Sequence, residues 1–133
     1  SMSEKRLRLL GHSLVNRLEV LSEFKTGIIV LSKDDYDQFE IERGDTEGIV
    51  NFVLQLQMVT MAVLVLEQPN IVKLSLRSKG DFSVEEIARK YFKGGGHLNA
   101  AGGYSFQSLS ETMKKFKDIL PFYKQKLIES NHL

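Results

Sequence analysis

A glycine-rich loop is the part of this sequence whose residue types could do chemistry. Five of the ten glycines fall between residues 93 and 103, in the string KGGGHLNAAGG. Consecutive glycines allow backbone conformations that side chains forbid, so neighbouring N–H groups can converge on one anion. The small residues Ala100 and Ala101 allow a short helix that begins near His97, and its N-terminus would add partial positive charge. His97 could donate a further hydrogen bond, so the loop predicts a phosphate-binding site.

Two familiar nucleotide-binding loops do not fit this string. A P-loop requires Gly-Lys-Ser or Gly-Lys-Thr, and the chain contains neither triplet. The dinucleotide-binding fingerprint requires a third glycine where Asn99 stands and a strand directly before it, whereas a helix is predicted there. The residues alone leave one alternative open. The glycines could simply make a tight connection between a helix and a strand, with His97 an incidental polar residue.

Arg77 ends a predicted strand on its polar face, close to where the glycine loop should return. Its guanidinium offers a planar fork that matches two phosphate oxygens, and the hydroxyl of Ser78 could add a donor. The chain contains further basic residues near Arg77, and we interpret these as parts of solvated faces: Lys73, Lys79, Arg89 and Lys90.

Helices and strands alternate along the chain. Apolar periodicity predicts helices over 3–22, 46–55 and 83–91, and strands over 26–31, 59–67, 71–77 and 104–106. A last helix is predicted from 108 to about 130, with Pro121 restarting or kinking it. Three pairs have the spacing of a capping box: Ser32 with Asp35, Ser83 with Glu86, and Ser108 with Glu111. The pattern predicts one α/β domain, a mixed sheet of four or five strands with helices on both faces.

The string GGGHLNAAGG, preceded by LRSKG at 76–80, resembles the signature of the DHHA1 domain. The segment TEGIVN at 46–51 resembles a helix opening in bacterial nano-RNases, and the resemblance covers roughly 45–103. It implies the C-terminal substrate-binding domain of a DHH-family phosphoesterase that hydrolyses short oligoribonucleotides, 3′-phosphoadenosine 5′-phosphate, or both. It also implies which residues contact the phosphate and sugar: Arg77, Ser78, Gly94, Gly95, Gly96 and His97.

Two other functions stay open. One is a non-catalytic nucleic-acid-binding module, as in the related domains at the C-terminal end of alanyl-tRNA synthetases. The other is a domain of a cyclic-dinucleotide phosphodiesterase. The sequence of the preceding domain would separate the three.

The catalytic half of the resembled family holds two divalent metals, expected to be manganese, with an Asp-His-His triplet among their ligands. This chain has no such triplet and only three histidines: His12, His97 and His132. We interpret His12 as a surface or packing residue and His132 as part of a frayed end. The carboxylates Asp34, Asp35 and Asp37 miss the calcium-loop spacing, so we expect an acidic surface there. The sequence therefore predicts no metal, no cofactor and no catalytic residue in this chain.

Composition limits the partners of the chain. It has 133 residues, 42% of them hydrophobic, no cysteine and a net charge of +1. A general polyanion binder would carry a basic excess, so nucleic-acid contact should be local. No apolar run approaches the length of about 18 residues that spans a membrane, and we expect a cytoplasmic protein without membrane contact. Residues 1–2 are interpreted as a cloning remnant and start, and 3–133 as the domain; a homodimer of the parent protein stays open.

Overall fold

A six-stranded mixed sheet lies at the centre of the molecule, with strand order β1-β2-β3-β4-β6-β5. This computed structural model describes residues 2–130, so the predictions for Ser1 and His132 fall outside it. The strands are β1 Leu18–Leu21, β2 Thr26–Leu31, β3 Met61–Gln68, β4 Ile71–Ser78, β5 Gly95–His97 and β6 Ala100–Ser105. Strands β2 and β3 are parallel, and the other neighbouring pairs are antiparallel.

Five α-helices flank the sheet. They are α1 Glu4–His12, α2 Lys33–Phe39, α3 Ile49–Leu54, α4 Val84–Tyr91 and α5 Leu109–Glu129. A π-helical turn, Ser13–Arg17, extends α1, and a 3₁₀ turn, Ser22–Phe24, joins β1 to β2. Serine side chains accept N–H groups at the starts of four helices, as their short polar side chains favour: Ser3, Ser32, Ser83 and Ser108.

The predicted fold class is confirmed, with six strands rather than four or five. The prediction of one helix over 3–22 is wrong, because the chain leaves the helix at Arg17 and continues as β1. Strand β1 pairs with β2, with Leu18 opposite Ile29, and it places Leu18 and Leu21 in the cores on opposite faces of the sheet. Leucines spaced by three or four residues fit a helix equally well, so periodicity could not separate the two.

Three helix predictions also change in detail. The helix predicted over 46–55 begins at Ile49, because Gly48 takes a left-handed conformation (φ 87°) before it. Ser83 caps α4 as predicted, but the Glu86 carboxylate accepts the Tyr123 hydroxyl (2.6 Å). Helix α5 continues through Pro121 without restarting. The other two capping boxes are complete.

The sheet separates two apolar cores. On one face, α1, α2 and α3 cover β1, β2 and β3, with α3 also in contact with β4, and buried side chains such as Ile29, Val53 and Leu64 fill the layer between them. On the other face, α4 and α5 cover the sheet through buried residues such as Leu76 and Phe116.

The first face is covered only in part. Beyond β3 its side chains change from buried and apolar to polar or small, and they are half-buried or exposed. We call this region the open face, made of Lys73, Ser75, Arg77, Gly95, His97, Ala100, Gly102 and Tyr104.

Candidate functional site

Arg77 and His97 lie in one row across the open face. Ala100 lies in β6, between Arg77 on β4 and His97 on β5, and it is the Cα partner of both. Directly opposed residues of antiparallel strands project from the same face. Two strand spacings amount to about 10 Å between the Cα atoms of Arg77 and His97, so both side chains are long enough to reach one phosphate group held above Ala100. The structure thus brings these two predicted residues to one surface.

Small residues form the neighbouring row. Ser75 lies opposite Gly102, and Gly102 lies opposite Gly95. Because two of the three have no side chain, a ligand can approach the backbone closely between the polar groups of β4 and β5.

Three glycines of the loop are required by packing. A Cβ on Gly94 would overlap the carbonyl oxygen of Gly102, and one on Gly103 would lie 2.7 Å from atoms of Phe92. At Gly96 a Cβ would lie 2.6 Å from the oxygen of Ala100, and the backbone is left-handed (φ 147°). These glycines let β5 and the end of α4 pack against β6.

Gly95 differs from its neighbours. An added Cβ would meet no heavy atom within 4 Å, and φ does not lie in the left-handed region. Packing within the domain therefore does not require a glycine at this position. Its row on the open face is the region that a ligand held between Arg77 and His97 would occupy.

The predicted helix N-terminus near His97 is wrong. Residues 95–97 form β5, which turns through Leu98 and Asn99 into β6. Strand β5 is an edge strand, so alternate backbone N–H groups point away from the sheet. These free strand N–H groups replace the predicted helix N-terminus as donors for an anion. The N–H of Gly94 already donates to the Ala88 carbonyl (3.0 Å), so it is not one of them.

Ser78 is not brought to the open face. Its side chain is buried, with 4% exposure, and its hydroxyl donates to the carbonyl of Phe82 (2.6 Å). The amide of Asn99 donates to the same hydroxyl (2.9 Å), and the Ser78 N–H donates to the Asn99 carbonyl (3.0 Å). Ser78 and Asn99 therefore hold the tip of the β5–β6 turn beside the end of β4. The sequence analysis missed Asn99, which carried no signal beyond its place in the loop.

The prediction of an acidic surface at Asp34, Asp35 and Asp37 is wrong for Asp35, which forms a buried ion pair. The Asp35 side chain is 1% exposed, and Arg17 donates to both of its carboxylate oxygens (3.0–3.2 Å). The Nε2 atom of His12 lies 2.8 Å from Asp35, and its ring packs on Phe39, so His12 is a packing residue as interpreted. Burial acts to raise the Asp35 pKa, but the bonds from Arg17, the Ser32 N–H and His12 outweigh burial and hold the pKa well below its usual range.

Metal binding is not supported at this segment. Across residues 2–130, no three histidine, aspartate or glutamate side chains are grouped so that they could hold a metal ion. Asp35 is committed to Arg17 and to the start of α2, while Asp34 and Asp37 are exposed.

A cavity of about 370 Å³ lies on the opposite side of the sheet, between the start of α4 and the end of α5. Its lining includes the carboxylates of Asp81, Glu86 and Glu129 and one cation, Lys126. Carboxylates repel a phosphate, so this cavity is a poorer site for an anion than the open face.

Comparison with protein families decides the assignment. The model of the DHHA1 domain matches residues 25–127. The chain belongs to the DHHA1 domain family. Comparison with curated proteins gave no match. The match includes Arg77, the glycine-rich loop and the whole sheet except β1.

Solved structures share the fold of this DHHA1 domain. An exopolyphosphatase-related protein from Bacteroides fragilis is 38% identical, with a TM-score of 0.92 over 97% of this chain and 38% of that one. A pGpG-specific phosphodiesterase from Vibrio cholerae is 12% identical, with a TM-score of 0.64 over 96% of this chain and 40% of that one. The C-Ala domain of Aquifex aeolicus alanyl-tRNA synthetase is 16% identical, with a TM-score of 0.52 over 71% of this chain and 89% of that one.

This DHHA1 domain spans about two fifths of the length of the first two proteins. The predicted DHHA1 resemblance is confirmed, and the narrower nano-RNase assignment stays a prediction. Within residues 2–130, no helix has both the length and the apolar character needed to cross a membrane.

Proposed function

We propose that this DHHA1 domain binds the phosphate and sugar of a short oligoribonucleotide or of 3′-phosphoadenosine 5′-phosphate for a DHH-family phosphoesterase. A preceding DHH domain would supply the catalytic residues and two divalent metals, expected to be manganese. The DHHA1 domain would face that domain across the substrate, orient the phosphate and exclude water.

One observation carries the proposal. Arg77 and His97 flank Ala100 on an uncovered sheet face, and Gly95 beside them lacks a side chain that packing would allow. A glycine without a packing reason, next to a guanidinium and an imidazole, is what close approach by a phosphate requires.

The chemistry of the row suits a phosphate ester. Arg77 can donate two parallel bonds to phosphate oxygens, while one of its five N–H groups already donates to the Leu76 carbonyl (2.9 Å). His97 can donate from the other side, and an outward N–H of β5 can complete the ring of donors. We retain Ser78 and Gly94 as residues that shape the site.

Amide NMR titration of the 133-residue chain with 3′-phosphoadenosine 5′-phosphate tests this proposal. We expect shifts at Arg77, Gly95 and His97. Gly95→Ala should weaken binding at least tenfold, because the added methyl group enters the space of the ligand. The fold should stay intact, because the methyl group meets no protein atom within 4 Å. Gly11→Ala is the matched control, since that glycine also has room for a Cβ and lies in α1.

Unphosphorylated adenosine and pGpG complete the design. Adenosine should leave the three residues unshifted, because the proposed contacts are with phosphate. Equal binding by the Gly95→Ala chain and the unsubstituted chain would show that the ligand lies elsewhere. Binding of pGpG that is much tighter than that of other short oligoribonucleotides would favour a role in cyclic-dinucleotide breakdown instead.

A further inference from the structure

A second row of polar groups crosses the open face parallel to the first. Lys73 lies opposite Tyr104 in β4 and β6. On the other side of Tyr104, its N–H donates to the Phe92 carbonyl (2.7 Å). Lys93 is the next residue after Phe92 and therefore lies beside Tyr104, on the side away from Lys73. Tyr104 comes four residues after Ala100, and at about 3.4 Å per residue the two rows are about 14 Å apart.

An aromatic platform ends this second row. Phe106 is 67% exposed, and its ring lies 5.4 Å from that of Tyr104, edge to face. The Lys93 ammonium lies 5.4 Å from the centre of the Phe106 ring. Lys93 also takes a left-handed backbone conformation (φ 56°), which is strained for a residue with a Cβ. The turn into β5 thus holds a cation over the exposed Phe106 ring, which in turn contacts the half-buried ring of Tyr104.

The charge of the open face matches a phosphodiester chain. Of its eight residues, two are cations, Lys73 and Arg77, and none is a carboxylate. Lys93 adds a third cation at its border. Aromatic rings that alternate with cations along a groove are the arrangement by which proteins hold single-stranded nucleic acid, with bases stacked on rings.

We propose that Tyr104, Phe106 and Lys93 form a base-stacking subsite for a single-stranded RNA whose terminal phosphate lies between Arg77 and His97. This inference rests on the proposed function and deepens it by specifying an oligonucleotide. Nucleotides rise about 3.4 Å along a stacked strand and farther along an extended one, so the two rows are separated by about two to four nucleotides. A lone nucleotide would occupy the first row and leave the platform empty.

A single tryptophan reports directly on stacking. The chain has no tryptophan, so Phe106→Trp places the sole indole at the platform. We expect tetra-adenylate to quench its fluorescence, and adenosine 5′-phosphate or a tetramer without bases to leave it unchanged. Phe122→Trp is the matched control, because Phe122 is 80% exposed on α5, on the far side of the sheet. Its fluorescence should not respond.

Affinity provides the second measurement. Phe106→Ala should weaken tetra-adenylate binding about five- to a hundred-fold, the range expected for loss of one stacked base. The same Phe106→Ala substitution should leave the binding of adenosine 5′-phosphate unchanged, whereas Arg77→Lys should weaken the binding of both ligands.

The outcomes separate the two proposals. If Arg77→Lys weakens both ligands while Phe106→Trp is not quenched and Phe106→Ala binds normally, the stacking subsite is wrong and the phosphate site stands. If quenching and the Phe106→Ala loss occur while Arg77→Lys has no effect, the platform stands and the phosphate site is wrong. If neither ligand binds the chain at millimolar concentration, both are overturned.

Discussion

Arg77 and His97 differ in what a substitution can preserve. Arg77→Lys keeps the positive charge but loses the planar two-pronged contact. Loss of one charge-assisted hydrogen bond costs about 1.5–3 kcal/mol, which is roughly a ten- to hundred-fold fall in kcat/KM. His97→Ala should cost a similar amount. The measurement is steady-state kinetics at fixed salt, on protein that carries both the DHH and DHHA1 domains and is shown to be folded.

Lys90 is the control for this series. It lies on α4, near the Tyr91 ring, and not on the open face. Lys90→Ala should change stability and turnover by no more than about 0.5 kcal/mol, as for an ordinary surface substitution. Impaired turnover in Lys90→Ala together with normal turnover in Arg77→Lys and His97→Ala would show that the site does not lie on the open face.

The sequence predicted that Arg77 and His97 lie close together, but it did not predict the arrangement of the residues around them. The alternation of β4 predicted that Arg77 lies on a polar face, and the return of the chain after α4 predicted that His97 lies near it. It could not predict the direction of Ser78, because the residue at the end of a strand is as free to bond to a nearby carbonyl as to a ligand. Nor could sequence reasoning separate Gly95 from Gly94, since the difference arises from the packing of Gly94 against Gly102 and Gly103 of β6.

At the scale of elements, α1, its π-helical turn and α2 are joined by the Asp35 ion pair. Asp35→Asn removes the charge that Arg17 and His12 contact, and we expect a loss of about 2–3 kcal/mol of unfolding free energy at pH 7. The folded-state pKa is depressed, so this stabilisation is present above the ordinary aspartate pKa of about 3.9. It decreases as pH falls below that value, because the unfolded chain takes up the proton first.

Urea unfolding at pH 7 and pH 3 measures this difference. The gap between Asp35→Asn and the unsubstituted protein should narrow at the lower pH. Asp34→Asn, one residue earlier and exposed, should stay within about 0.5 kcal/mol at both values. A gap that widens on acidification would contradict the pairing of an ionised Asp35 with Arg17.

Elements with a distinct pattern were predictable, whereas the two edge strands and the first four residues of β6 were not, because β6 begins at Ala100 and not at the predicted residue 104. Strand β2 lies over the predicted residues because its buried β-branched run is bounded by polar residues. Strand β1 has leucines that suit a helix, and β5 consists of Gly95, Gly96 and His97, which have little preference for a strand. Both are set by pairing with their neighbours, β2 and β6, and such tertiary contacts leave no trace in local sequence.

At the scale of the whole molecule, binding and catalysis are predicted to lie in different domains. We expect the 133-residue chain to hydrolyse neither a short oligoribonucleotide nor 3′-phosphoadenosine 5′-phosphate in manganese or magnesium. Its residues 2–130 offer no cluster of metal ligands to activate water. Chromatographic detection of products after long incubation is the measurement.

A contaminating nuclease is the main confounder of that experiment. Activity that disappears on repurification would leave the prediction intact. Turnover that co-purifies with the chain and is abolished by a chelator would contradict the assignment of catalysis to another domain.

The lengths of the strands have a consequence for self-association. The two outermost strands are the shortest, with four residues in β1 and three in β5, whereas the inner strands have six to eight. An unpaired sheet edge is a template on which a strand of another molecule can add, and short edges offer too few amides for a stable pairing. The protein can therefore present the open face to a ligand while the adjoining edge of β5 resists edge-to-edge aggregation at high concentration.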